Sequence, residues 1–249
     1  MVLLCVSVIL IFVGLRSVDD VKNILIGIAT NLVGIAVTVS FVQYFLDRQD
    51  ETKAKEEEKK DILRHHQILA VLIGNYVVYY NNIVTPFSER AKIDPFTLKI
   101  QFKFSDLQDL YKQSLLMKDK MYRPSIEAFY DAEKRLREYC ISCINNVEYK
   151  YYPQIQKPIL EFIKKSLQYD VSDSILGNQT ITGSKEKLTD TIQKYIADES
   201  EDWVGKFDRD ELGPNMMIPY VLLFKLLQSE AACIVEYFEE IKKIAGDPQ

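Results

Sequence analysis

The sequence predicts an all-α protein: an N-terminal transmembrane helical hairpin followed by a cytoplasmic helical bundle, with one short extended segment near 96–104. Three observations lead there. The first 46 residues hold two apolar runs, Met1–Leu15 and Ile24–Leu46, and neither contains an Asp, Glu, Lys or Arg. Beyond them, apolar residues recur at steps of three and four, the period of a helix with one buried face. Nine Gly and eight Pro in 249 residues provide few turns, as long helices require. The expected division is 1–46 as the hairpin, 47–61 as a charged helical stalk and 62–249 as the cytoplasmic domain.

The second run, at about 1.5 Å per residue, is long enough to cross a hydrocarbon core of roughly 30 Å with some tilt. The first gives only about 22 Å of helix, and three readings of it stay open: a short crossing, a cleaved signal peptide, or a half-inserted helix. The signal-peptide reading lacks a positively charged start, and Phe12-Val13-Gly14-Leu15 is a poor cleavage site. Between the runs, Arg16–Asn23 is a polar connection suited to a tight hairpin. That connection offers Arg16 and Lys22, whereas the segment after Leu46 offers Arg48, Lys53, Lys55, Lys59, Lys60 and Arg64. The positive-inside rule then places both termini in the cytoplasm, in a two-pass protein of the cell inner membrane.

Within the second run, Gly27, Asn31, Gly34 and Thr38 share one helix face. Thr30, Gly34 and Thr38 add a series of small residues four apart, and such residues let helix backbones approach. This face is read as transmembrane packing. Its partner is the chain's own first helix, where Ser7 and Gly14 lie seven apart, or a second copy; a polar pore lining is the third reading. An intramembrane Asn favours any of these because lipid supplies no hydrogen-bond partner.

The net charge of −5 belongs wholly to Asp47 onward, since Arg16, Asp19, Asp20 and Lys22 cancel. An acidic domain argues against broad nucleic-acid binding, which needs clustered cations against phosphate. About two hundred residues suffice for one core. Four Cys, one of them Cys5 in the first apolar run, do not suggest a disulfide framework for a cytosolic domain, and a sequon at Asn178 means nothing on that side of the membrane.

Along the cytoplasmic part, Ile62, His66, Leu69, Ile73, Tyr76, Tyr80 and Ile83 form a heptad-like stripe, read as a core helix or as the seam of a dimeric coiled coil. Pro86 stops it. Phe96, Leu98, Ile100, Phe102 and Phe104 alternate with polar residues, which predicts a short strand or an apolar arm laid on the helices. Ser105-Asp106-Leu107-Gln108 reads as a capping box opening a helix to about Met117. Pro124-Ser125 opens a long helix to about Tyr152 on the face Ile126, Phe129, Glu133, Leu136, Cys140, Ile144 and Val147. Pro153 and Pro158 mark the start of the next, to about Leu167; 169–183 reads as a loop, and Ser184–Ala197 as a helix. The acidic stretch 198–215 reads as a loop around the single Trp. A last helix begins near Pro219 and ends before Gly246.

Chemistry is thin. Cys140 and Cys143 form a C-x-x-C pair inside a predicted helix, away from the strand-to-helix start where redox pairs sit. The remaining Cys and the adjacent His65 and His66 do not complete a zinc set. Asp208-Arg209-Asp210 resembles the opening of a calcium loop without its Gly and twelfth-position Glu. The acidic stretch reads as a solvated loop or, alternatively, as a docking surface for a basic partner, with Trp203 and Phe207 as apolar anchors beside Asp208 and Asp210. Tyr79, Tyr80, Tyr149, Tyr151 and Tyr152, near Lys150, Lys157, Lys164 and Lys165, are core residues or a stacking platform for single-stranded nucleic acid. No Walker loop, G-x-S-x-G or H-E-x-x-H occurs, so the expectation is a non-enzyme without catalytic, metal or cofactor residues.

The layout of residues 1–70, a short apolar run, a small hairpin, a longer run, a charged stalk and then helices, resembles the two-helix membrane effectors of bacterial anti-phage systems, including retron-associated ones. The resemblance implies an inner-membrane protein whose cytoplasmic domain is kept dormant by a reverse transcriptase with its nucleic-acid product. Release would let the membrane helices damage the bilayer or its potential. The alternative is a non-toxic membrane-anchored scaffold or sensor subunit whose helical domain binds a protein partner.

Overall fold

The structure, a computed structural model, describes residues 2–16, 19–114, 123–179 and 187–246. It is helical, with no strand among the described residues. Among the described residues, eight α-helices follow in order: α1 (Val2–Gly14), α2 (Asp19–Ile83), α3 (Ser125–Asn146), α4 (Pro153–Gln168), α5 (Ser172–Gly177), α6 (Leu188–Ala197), α7 (Trp203–Asp208) and α8 (Ile218–Ala245); 3₁₀ turns span Arg90–Lys92 and Phe104–Asp109. The chain divides into two compact units, Met1–Glu57 and Glu58–Gln249, and the division falls inside α2.

The amino-terminal unit consists of α1 and the first part of α2. Its buried residues are small: Ser7, Ala29 and Ala36. Ala29 and Ala36 lie two turns apart on one face of α2, flanked by half-buried Leu25, Ile26, Leu32 and Val33. From Val37 to Glu57 every residue is exposed.

The carboxyl-terminal unit begins at Glu58 rather than Ile62, for a local reason. The Glu58 carboxylate accepts hydrogen bonds from the backbone N–H groups of Tyr151 and Tyr152 at 2.9 and 3.2 Å. It thereby satisfies donors at the amino end of α4, where the helix dipole favours a negative charge. The stripe from Ile62 to Ile83 is the spine of the core: Ile62, Leu69, Ile73, Tyr76, Tyr80 and Ile83 are all buried inside this one unit. That places it as a core helix and leaves no seam for a coiled coil. α4 packs along α8 and α3 on α4, while α6 packs on the 3₁₀ turn at Phe104–Asp109.

Four expectations are corrected. Residues 96–104 are not a strand. Asn81 takes their backbone groups instead, its amide donating to Pro95 O and Thr97 O and its oxygen accepting from Lys99 N. Leu98, Phe102 and Phe104 pack on the core while Phe96 and Ile100 stay exposed, so the segment is an apolar arm. The helix expected from Ser105 is only a 3₁₀ turn, opened by Asp106 accepting from Lys103 N at 3.0 Å rather than by Ser105. Its expected end near Met117 lies outside the described residues.

Next, α3 ends at Asn146, with Val147 extended, because Val147–Tyr152 must turn the chain into Pro153. Finally, two stretches read as loops contain short helices, α5 and α7, the latter capped by Asp202 accepting from Gly205 N. The start expected for α6, Ser184–Glu186, is likewise outside the described residues.

The connection from α2 to α3 is held by buried Arg90. Its guanidinium donates to Thr85 O, Gln113 O, Ser125 Oγ and Asp109 O at 2.8–3.1 Å. Burial lowers its pKa to about 10, against the opposing pull of Asp109. Nothing in the local sequence distinguishes this arginine from its exposed neighbours.

Candidate functional site

The first candidate is the outer face of α2 in the amino-terminal unit. Gly27, Asn31, Gly34 and Thr38 do lie along one face, and all four are exposed. They are not the surface against which the unit packs; Ala29 and Ala36 are. A Cβ built on Gly27 or Gly34 meets no atom within 4 Å. Thr30, Asn31, Gly34, Ile35, Thr38 and Val39 line a shallow notch supplied by this helix alone. Thr30 and Thr38 spend their hydroxyls on their own helix, donating to Ile26 O and Gly34 O at 2.9 Å. The Asn31 side chain has no hydrogen-bond partner among the described residues.

The second candidate, the acidic stretch, is less open than its composition suggests. The Trp203 indole N–H donates to Tyr195 O at 3.0 Å, and the ring packs edge-on to Tyr195 and under the Lys206 ammonium. Lys225 lies over Phe207 and pairs with Asp208 at 2.5 Å. Both rings are half-buried against their own unit. Asp210 is exposed, on a positive φ of 57°. Three of the four residues expected to dock a partner, Trp203, Phe207 and Asp208, are thus engaged at home. Of the tyrosines, Tyr80, Tyr149 and Tyr152 are buried and only Tyr79 and Tyr151 reach the surface, so no continuous stacking platform forms.

A third constellation, unremarked in the sequence, lies in the core where α2, α3, α4 and α8 meet. Glu230 of α8 is fully buried; one carboxyl oxygen accepts from the Tyr76 hydroxyl at 2.7 Å and the other has no partner. Glu133 of α3 is also buried, but it accepts from the Ser166 hydroxyl and lies 3.6 Å from Arg137, which in turn donates to Ser166 Oγ at 2.8 Å. Arg137 also lies 3.8 Å from Asp170, so its guanidinium is shared between Glu133 and Asp170 and makes no direct contact with Glu230.

Burial, reinforced by the Glu133 charge, pushes the Glu230 pKa well above the usual carboxylate range. Burial also raises Glu133, opposed by Ser166 and Arg137. The charge is best held as Arg137⁺ with Glu133⁻, leaving Glu230 a neutral acid. Tyr130, beside this network, likewise carries a buried hydroxyl without a partner.

The thiols show no activation. Cys140, Cys143 and Cys233 are buried and free; burial raises Cys143 and Cys233 to about 11 and Cys140 further. Low-pKa reactive thiols need the opposite environment. Among the described residues, no three His, Cys, Asp or Glu side chains gather where they could hold a metal ion. His66 is drawn into packing, its Nδ1 3.0 Å from the Tyr237 hydroxyl, and burial lowers its pKa.

Among the described residues, two helices are long and apolar enough to cross a membrane: α2 from Asn23 onward, and α8. Their surroundings differ, since 11% of the apolar window in α2 is buried against 56% of that in α8, which is a core helix of its unit. No protein-family model, curated protein or solved structure matches the chain.

Proposed function

We propose that the chain is an effector of a bacterial inner membrane, part of an anti-phage defence system, anchored by α1 and α2 with both termini in the cytoplasm. The helical domain is kept dormant by a partner, on the resemblance above a reverse transcriptase with its nucleic-acid product. On release, the membrane helices associate and perturb the bilayer. No catalytic step is required.

The observation that carries this reading is the unpaired Asn31 amide in the middle of the apolar run Ile24–Leu46, beside a notch that the chain's own packing leaves open. In hydrocarbon an amide has no water to bond, and a hydrogen bond across helices is worth about 1–2 kcal/mol in model peptides. A second copy brings a matching notch and a matching Asn31, so self-association satisfies both at once. Phe45 meets Phe41 and Tyr44 edge-on just before Asp47, and the three rings suit the interfacial level where aromatic rings gather. α8 is assigned to the cytoplasmic domain because its apolar face is already used there.

The test is inducible expression with a voltage-sensitive dye, any inhibitory partner being absent. Wild-type protein is expected to collapse the membrane potential and stop growth. Gly34→Leu, which fills the notch, is expected to abolish both, while Val37→Leu, outside the notch, leaves them intact. Toxicity retained in Gly34→Leu would remove the face from the mechanism. Unchanged potential and growth with the wild type would favour the scaffold or sensor subunit instead.

A further inference from the structure

We propose that a groove between α2 and α3 in the carboxyl-terminal unit binds a small ligand made of a flat ring and an anionic group, of mononucleotide size. The groove encloses ≈ 370 Å³, within the 300–1,000 Å³ range of small-molecule pockets. It exists because of side-chain size. Leu72, Asn75 and Tyr79 follow one another at helical spacing on α2, and the facing positions of α3 include Ala128 and Ala132. Two methyl groups cannot fill the space between the helices, and both alanines are buried as its floor.

The chemistry of the walls is mixed in the way a ligand site requires. Leu72, the two alanines and the half-buried Tyr79 ring offer an apolar slot in which a flat ring can stack. Three polar groups face the same space without a partner among the described residues: the Asn75 amide, the Tyr79 hydroxyl and the Arg135 guanidinium. The other arginine of the groove, Arg123, is already engaged by Asp131 and Glu127. That pairing also offsets the Asp131 charge at the mouth. Among the described residues, Arg135 is therefore the lining cation left to take an anion, and its planar fork suits the two oxygens of a phosphate or carboxylate. Asn75 supplies a donor and an acceptor for the edge of a ring. A single ring slot and a single free cation fit one nucleotide unit rather than a strand, whose repeated bases need the continuous platform that the buried Tyr80, Tyr149 and Tyr152 do not provide.

A phosphate-bearing nucleotide and an aromatic carboxylate share this chemistry, and the experiment separates them. Full-length protein in lipid nanodiscs is titrated with AMP carrying a fluorescent N-methylanthraniloyl group, read by anisotropy, and with salicylate, read by its own fluorescence. Unlabelled AMP and inorganic phosphate serve as competitors. Saturable binding of either probe is expected. For whichever probe binds, Arg135→Gln should weaken affinity about tenfold, the loss of one charge-assisted contact, and Ala132→Phe should abolish binding by filling the floor.

Displacement by AMP identifies the nucleotide source, and binding of salicylate alone the carboxylate source. Three results each overturn the proposal: neither probe binds saturably; Arg135→Gln binds as the wild type does; or inorganic phosphate displaces the probe as well as AMP, leaving the ring slot without a role. Arg135 is exposed, so its variant keeps the test decisive even if Ala132→Phe fails to fold.

Discussion

Replacing Glu230 by Gln isolates the most unusual feature of the core. The change keeps the side-chain shape and an oxygen to accept from the Tyr76 hydroxyl, but removes the titration. Burial raises the Glu230 pKa in the folded protein, whereas the unfolded chain exposes an ordinary carboxyl. A raised folded pKa means that the folded state holds its proton more tightly. Its contribution to stability is therefore complete below the unfolded pKa, near 4.3, and is lost as pH rises toward the folded pKa. Through that window the loss is about 1.4 kcal/mol per pH unit.

Glu133 adds a slope of the same sign. His66, whose pKa is lowered, adds one of opposite sign near its model value of 6.5. Both are common to wild type and variant, so the difference between the two proteins reports Glu230. The assay is urea unfolding in detergent at pH 5 and pH 6, followed by the single Trp, which lies in the same unit as Glu230. Glu230→Gln is expected to gain about 1.4 kcal/mol on the wild type between the two conditions. Parallel stabilities at both pH values would mean that Glu230 is ionised in the folded core, and the assignment of the charge to Glu133 and Arg137 would be wrong.

Glu58→Ala removes both hydrogen bonds at the start of α4; a loss of about 1–2 kcal/mol in the same unfolding assay is expected, against a negligible effect for exposed Glu57→Ala. At pH 8, Cys140, Cys143 and Cys233 should resist a water-soluble maleimide in the folded protein and react fully in urea, since burial both shields and protonates them; fast labelling of any of the three, mapped by mass spectrometry, would contradict their placement. Trp203→Phe keeps an aromatic ring but loses the bond to Tyr195 O; urea unfolding followed by far-ultraviolet circular dichroism, which needs no Trp, is expected to show a cost of about 1 kcal/mol, and unchanged stability would remove that bond from the packing.

What was legible in the sequence follows from periodicity, and what was not follows from contacts that periodicity does not encode. The Ile62–Ile83 stripe and the face of α8 announce themselves because a buried helix needs apolar side chains every three to four residues. The alternation at 96–104 left a strand and an apolar arm both open because period two is necessary for a half-buried strand but not sufficient. A strand also needs a neighbour for its backbone, and here Asn81, fifteen residues upstream of Phe96, occupies those groups first. Glu58 was hidden among charged neighbours in the stalk; only the arrival of Tyr151 and Tyr152, more than ninety residues later, distinguishes it.

The Gly27–Thr38 face shows both limits at once. Its spacing identified a helix face, but spacing cannot say which face a short neighbour covers. Ala29 and Ala36 are as small as Gly34 is for that purpose, and they are the buried ones. The residues that sequence reasoning expected at an internal contact are therefore the ones left available for another chain. A polar amide exposed within an apolar run is tolerable only where something else meets it; Gln43 lies near the end of the run, whereas Asn31 sits in its middle, beside the notch, with its needs unmet by its own unit.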